Sequence, residues 1–446
     1  MHRRTVGIDL AISAEQVAQI YDDGRPVGKP LRFRLDAADL QRLVTQVTAA
    51  VSPGTPIQAV MEPTGMSWFP VARWLNAAGI EVIRVKGQRV KALRKYLSEH
   101  AKTDLADAHL LGAMPSIGPL RLEPLHLPSA EHHALQRLTK QRHRYQKLRC
   151  ASKRRLLDLI RWSCPALEAA LPDIFTQLAQ AILHDLFEPE RLLALRRDQL
   201  RRFLARHASG SHATSGPVVE RRIDALRAAA HATRALYPTG VDFEALQFEV
   251  RQEVSLLRQL KSHVKALDQR CEELYRTVHP GNAIQSIPGI GAALAPVLIG
   301  AIGDVRRFAN ERQLRGFCDM FPVSSSSGGR DRPGQRITQT GNDRVKRALY
   351  LAADVARRID PDLAEVYWRL MVNRGHHHKQ ALCAVVTRLV NRIHRVLRTG
   401  VPYQLRDRDG TPIDVQQGKA IVAAQFTVPE VIRRSRRVHS PGPIAA

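Results

Sequence analysis

Cysteine is scarce in this chain. Its five cysteines among 446 residues (Cys150, Cys164, Cys271, Cys318 and Cys383) form no CxxC pair. That excludes a disulfide-dense scaffold, argues against a cysteine-built zinc site, and fits a reducing compartment. Long apolar runs are missing too. No stretch approaches the roughly 20 residues of a spanning helix, and the start, Met1 to Val6, has neither an apolar signal core nor a small-residue cleavage site. A cytoplasmic protein without a membrane partner is expected. Acidic residues are also in short supply: 42 Asp and Glu face 68 Lys and Arg, for a net charge of +26 and a pI near 10.7. The imbalance is uneven, because residues 1–125 carry 12 of the acids against only 16 of the bases. Most of the surplus positive charge lies beyond them, which points to a polyanionic partner.

The acids that are present stand in telling places. Asp9 ends the apolar run Thr5 to Ile8, and Glu62 ends the run Ile57 to Met61. Asp104 and Asp107 fall within Lys102-Thr103-Asp104-Leu105-Ala106-Asp107-Ala108, spaced i,i+3 on one face of a predicted helix for which Thr103 is the N-cap. Two strand-end acids plus a helical pair are suited to holding two divalent metals for displacement at phosphorus. The order β-β-β-α-β-α-β-α over this region predicts an α/β domain with a mixed sheet flanked by helices.

Beyond residue 125 the pattern turns helical. Arg137–Arg161 holds ten Lys or Arg and one acid, Asp158. Such a helix is either a solvated face or a rail for phosphates, and the basic context favours the rail. A second long helix is expected from about Asp242 to Thr277. Its Leu257, Leu260, Val264, Leu267, Cys271 and Leu274 form an a/d seam, for a coiled coil with the 129–160 helix or with another copy of the chain. Residues 209–216, rich in Ser and Gly, read as a flexible connector. Pro288-Gly289-Ile290-Gly291 before an apolar helix resembles a helix-hairpin-helix turn, whose amides can meet a phosphate. The same glycines also suit ordinary helix packing. Further on come four serines, Ser324 to Ser327, then Gly328-Gly329, Arg330, Arg332 and Arg336. This stretch is either a plain flexible loop or a hydroxyl nucleophile presented among guanidinium groups.

Taken together, Gly7-Ile8-Asp9, Glu62-Pro63-Thr64-Gly65, the Lys102–Ala108 stretch, Pro288 to Gly291, and Ser326-Ser327-Gly328 with Gly341-Asn342 resemble the DEDD transposases of bacterial insertion sequences. These are the bridge-RNA-guided recombinases, to which Piv-type DNA invertases are similar. The resemblance implies a RuvC-like (ribonuclease H) catalytic domain over residues 1–125 and a helical, coiled-coil linker and oligomerisation region over 126–282. A mainly α transposase domain with a catalytic serine would follow over 283–402, then a basic, disordered tail over 403–446. It further implies Mg²⁺ on Asp9, Glu62, Asp104 and Asp107, with Ser327 as nucleophile and Ser326 as the alternative. Contacts to nucleic acid are expected from Gly289, Gly291, Arg330, Arg332, Arg336, Asn342 and Lys346. Donor and target DNA, a structured guide (bridge) RNA and a homotetramer are the implied partners, with nucleoid association during activity. The competing expectation is a hydrolytic RuvC-type endonuclease, which needs the acids and no serine.

Overall fold

The computed structural model describes residues 3–12, 15–96, 103–117, 122–208, 216–319, 326–327, 329–331 and 341–436. They fall into two compact units, dividing between Leu127 and Pro128.

The first unit is built on a five-stranded mixed sheet. Strands β1 (Arg4–Asp9), β2 (Gln16–Asp22) and β3 (Arg25–Phe33) form an antiparallel meander, followed by α1 (Ala37–Thr48), β4 (Ile57–Met61), α2 (Trp68–Ala77), β5 (Glu81–Arg84), α3 (Gly87–Tyr96) and α4 (Asp104–Ala113). The sheet order is β3-β2-β1-β4-β5, with β4 parallel to both β1 and β5. Side chains alternate across it. Ala59 and Met61 join Val6 and Ile8 under α1 and α2, which contribute Leu40, Leu43, Val47, Val71 and Leu75. Val60, Ile83 and Val85 face the other way, onto Val90, Leu93, Leu110 and Leu111 of α3 and α4.

On that second face β1 presents Thr5, Gly7 and Asp9. The α4 backbone lies so close that a Cβ on Gly7 would stand 1.9 Å from the Ala108 carbonyl oxygen and 2.3 Å from the Gly112 amide nitrogen. Gly112 is equally confined, since a Cβ there would meet the Tyr21 ring at 2.2 Å. Thr5 Oγ1 donates to the Gly112 carbonyl at 2.9 Å, locking the register of helix on strand.

The second unit is helical: α5 (Ala130–Ser163), α6 (Ala166–Ala170), α7 (Gln177–Leu186), α8 (Pro189–Ala194), α9 (Arg197–His207), α10 (Gly216–Leu236), α11 (Phe243–Val278), α12 (Ala295–Ile302) and α13 (Glu311–Cys318). A short hairpin of β6 (Ser326–Ser327) and β7 (Arg330–Asp331) comes next, then α14 (Asp343–Ala356), α15 (Pro361–Val372), α16 (His378–Thr399), α17 (Val415–Gln425) and α18 (Glu430–Ser435). The a/d seam of α11 finds its partner inside the chain. Helices α5 and α11 run antiparallel, joined by the ion pairs of Arg142 with Asp268 and of Arg155 with Glu249 and Glu253. At one end Leu156, Leu159 and Ile160 pack with Leu246, Val250 and Leu257 in a core shared with α7 to α10. At the other, Leu135 packs with Cys271 and Tyr275 in a core shared with α12 to α16. The connector at 209–215 lies outside the described residues.

The tail departs from expectation. Residues 403–436 are not disordered. The Tyr403 amide donates to Ser286 Oγ at 2.6 Å, and its hydroxyl donates to buried Asp360 at 2.8 Å. Phe426 and Val428 are buried, and α17 packs on α15. Basic composition alone suggested a solvated tail, but a few aromatic and aliphatic side chains tie it to the core. Residues 437–446 lie outside the described set.

Gly7→Ala is expected to destabilise the first unit by about 3 kcal/mol or more, because backbone cannot yield as a flexible side chain does. Gly281→Ala, with nothing within 4 Å of the new Cβ, should change stability by less than about 1 kcal/mol. Parallel thermal and urea melts check both.

Candidate functional site

Parallel pairing of β1 and β4 sets Ile8 beside Met61, so Asp9 and Glu62 emerge next to each other at the carboxyl ends of adjacent strands, where open α/β sheets place their sites. Thr103 caps α4, its Oγ1 accepting from the Ala106 amide at 3.1 Å. Asp104 and Asp107 then fall in the first turn, where the helix dipole favours negative charge. The close fit of α4 on Gly7 delivers that turn to Asp9. Glu62 lies over the first residue of α3: a Cβ on Gly87 would stand 2.4 Å from Glu62 Oε1.

Four carboxylates thus share one electrostatic neighbourhood. The Asp9 carboxyl is pushed up from 3.8 to about 6, first by burial, then by the negative charges of Asp107 and Asp104, with a smaller push from Glu62. A hydrogen bond from the Leu10 amide opposes the shift without cancelling it. Asp107 is buried and paired with Arg94 of α3, while Asp104 is exposed. Arg94 is the residue that sequence reasoning missed. Its only local signal was a basic residue in the last turn of α3. Among the described residues its Nε is buried without a hydrogen-bond partner.

These acids fit a divalent cation in donor chemistry, being hard oxygen ligands of the kind Mg²⁺ takes. They do not form a closed shell: among the described residues no three His, Cys, Asp or Glu side chains stand together in a coordinating arrangement. The Arg94 guanidinium neutralises the most buried of them.

In the second unit the serines sit on a hairpin. Ser326 pairs with Asp331 and Ser327 with Arg330, and Gly329 takes φ +75°. Ser326 is exposed. The ends of the longer segment that holds this hairpin are brought together. A Cβ on Gly341 would lie 2.5 Å from Asp319 Cβ and 3.0 Å from Lys346 Cε, and Lys346 Nζ is 3.4 Å from Asp319 Oδ2. Asp319, left-handed at the end of α13 with φ 52°, and Gly341 therefore lie side by side. Lys346, expected on nucleic acid, is largely buried in this clasp. Asn342 caps α14, accepting from the Arg344 amide at 3.1 Å. Arg332 and Arg336 lie outside the described residues.

The glycines of the Pro288–Gly291 turn divide. Gly289 has φ +87°, and a Cβ there would stand 2.2 Å from the Ala352 carbonyl oxygen, so it serves the close packing of the turn on α14. Gly291 has open space around it. Its carbonyl accepts from the Leu294 and Ala295 amides as α12 begins.

Residues 6–165 match the DEDD transposases of the IS110 type, and residues 281–368 match the transposase family IS116/IS110/IS902. Both matches are to transposase families. A 43.6 kDa protein of insertion element IS110 from Streptomyces coelicolor is 24% identical over 90% of this chain and 96% of its own length. A 44.8 kDa protein of insertion element IS116 from Streptomyces clavuligerus is 26% identical over 73% of this chain and 78% of its own. The pilin gene-inverting protein of Moraxella bovis is 24% identical over 40% of this chain and 56% of its own. The carboxylate site lies within the first matched stretch, and the serine hairpin within the second. No helix among the described residues is long and apolar enough to cross a membrane.

The raised Asp9 value has a consequence for stability. A carboxyl whose folded value lies above its unfolded one destabilises the fold as pH rises from 3.8 through about 6, and the full cost is present above that. Asp9→Asn is therefore expected to be more stable than the parent chain at pH 7.5 in EDTA, by about 1–2 kcal/mol after allowance for solvent screening. The gap should close below pH 4. Melting curves from pH 4 to 8 read it directly, and a gap that stays constant with pH would contradict the assignment.

Proposed function

We propose that the chain is a transposase that cuts and rejoins DNA strands through a covalent link to Ser327, with Asp9, Glu62, Asp104 and Asp107 holding Mg²⁺. The observation that carries this reading is the shared electrostatic neighbourhood of four carboxylates from three separate stretches, centred on Asp9, at a cost to the fold that a divalent cation would offset. The matches to DEDD and IS116/IS110/IS902 transposases support it, as does the hairpin in which Ser327 pairs with Arg330.

Serine Oγ forms the bond to phosphorus, one backbone P–O bond breaks, and a strand-end hydroxyl leaves with a proton. The reverse attack, by the hydroxyl of another strand, frees the serine and rejoins the DNA. Because the phosphodiester energy is kept in the phosphoserine link, no nucleotide cofactor is consumed. When bound, Mg²⁺ would supply charge for the phosphoryl oxygens and lower the hydroxyl's pKa. The chain's own contribution is to seat its ligands. Asp9 and Glu62 are held by strand pairing, and Asp104 and Asp107 by the cap of α4. Arg94 would balance Asp107 until the cation arrives. Arg330, opposite Ser327 in the hairpin register, is the candidate for offsetting charge at phosphorus.

We extend the reading to the assembly. The carboxylates of one copy would meet the serine of another within a tetramer, and a structured guide RNA would choose donor and target by base pairing. Both rest on the resemblance of the motifs to the guided recombinases.

The test is strand transfer with purified protein, Mg²⁺, the RNA encoded beside the gene, and donor and target DNA, run on denaturing gels with and without proteinase. A proteinase-sensitive DNA adduct is expected, lost in Ser327→Ala and in Asp9→Asn. Free ends without an adduct, persisting in Ser327→Ala, would assign a RuvC-type hydrolytic nuclease instead. Independently of turnover, Mn²⁺ at pH 7.5 should raise the melting temperature of the parent chain by several degrees and that of Asp9→Asn by far less.

A further inference from the structure

Two helix faces of the second unit bring positive charge together. On α5, His143 and Lys147 are spaced i,i+4 and share one face. On α14, Arg344 and Arg347 are spaced i,i+3. The two faces meet: Arg344 Nη1 donates to the Gln136 carbonyl of α5 at 3.1 Å. His143 is held below its ordinary value first by burial, then by the charges of Lys147, Arg347, Arg344 and Arg142. The same cause, burial, lowers Arg344. Of these cations Arg142 is spoken for, being paired with Asp268. Lys147, Arg344 and Arg347 have no ion-pair partner among the described residues. Lys147 and Arg347 stand beside half-buried Arg344 and His143 on these faces.

A fold gains nothing by gathering like charges. A polyanion is the partner that repays the cost. Helix α14 is also the element that leaves the serine segment, beginning one residue after Asn342. We propose that the facing sides of α5 and α14 form a track for the phosphate backbone of a DNA strand, with Lys147 and Arg347 on phosphate oxygens and Arg344 anchoring the groove. This rests on the reading of the chain as a DNA strand-transfer enzyme, and it adds the surface that holds the strand.

The experiment is fluorescence anisotropy of a labelled 30-base-pair duplex with the full chain, in EDTA, across 50–300 mM salt. Removing one phosphate-binding cation should flatten the slope of log K against log salt by about 0.9 on duplex DNA. Lys147→Ala/Arg347→Ala is expected to flatten it by nearly two and to weaken binding at 100 mM salt by about tenfold or more. Lys147→Gln alone should cost about half the slope change. The control is Arg270→Ala/Arg306→Ala, which removes the same charge from exposed arginines paired with Glu273 and Asp304. Equal slopes in the two double variants would mean that only net charge matters, and would overturn the track. A labelled single-stranded RNA run in parallel decides the ligand: loss confined to RNA would overturn the assignment to DNA. Because the assay needs no metal and no turnover, failure of strand transfer with these slopes intact would fault the catalytic reading and leave the track standing.

Discussion

Everything in the first unit that bears on chemistry depends on how near α4 comes to β1. A strand and a helix normally stand apart by the thickness of their side chains. Here Gly7 and Gly112 remove that thickness, and backbone meets backbone. The reward is positional. Asp107 sits one turn before Leu110 and Leu111, which are buried in the core beneath it, and is thereby brought beside Asp9. A helix one side chain further out would leave the acids as separate surface charges, each satisfied by water.

That closeness creates the electrostatic problem that Arg94 partly answers. Negative charge accumulates where burial weakens solvation, and the clearest measure of the strain is Asp9, pushed up to about 6. The guanidinium on Asp107 relieves part of the repulsion without removing it. Such a site gains far more from a bound cation than a surface cluster would, since the cation replaces repulsion with attraction in a poorly solvated place. The second unit shows the mirror image of the same arrangement, with cations concentrated along α5 and α14 and partly desolvated.

The hairpin with Ser327 is governed by a different constraint. Asp319, Gly341 and Lys346 bring together the chain on either side of it, and Ser327 is set against Arg330 across its two strands. Lys346 thus belongs to the scaffold, and Asn342 to the cap of α14. Gly289 in turn belongs to the packing of a turn on that same helix.

The elements and the acids were legible in the sequence because their signals are local. Alternation announces β1, β4 and β5, Thr103 announces the start of α4, and a residue that ends a strand is visible as such. The a/d spacing of α11 showed that it would bury one face, but not against what. Only the tertiary structure chose α5 of the same chain, because antiparallel ion pairs such as Arg142 with Asp268 join residues far apart in sequence. It likewise ordered the expected tail through Tyr403 and Asp360, paired Arg94 with Asp107, and decided which glycines serve packing. Those outcomes depend on which distant surfaces meet and on how much water they exclude. Neither spacing nor composition records that.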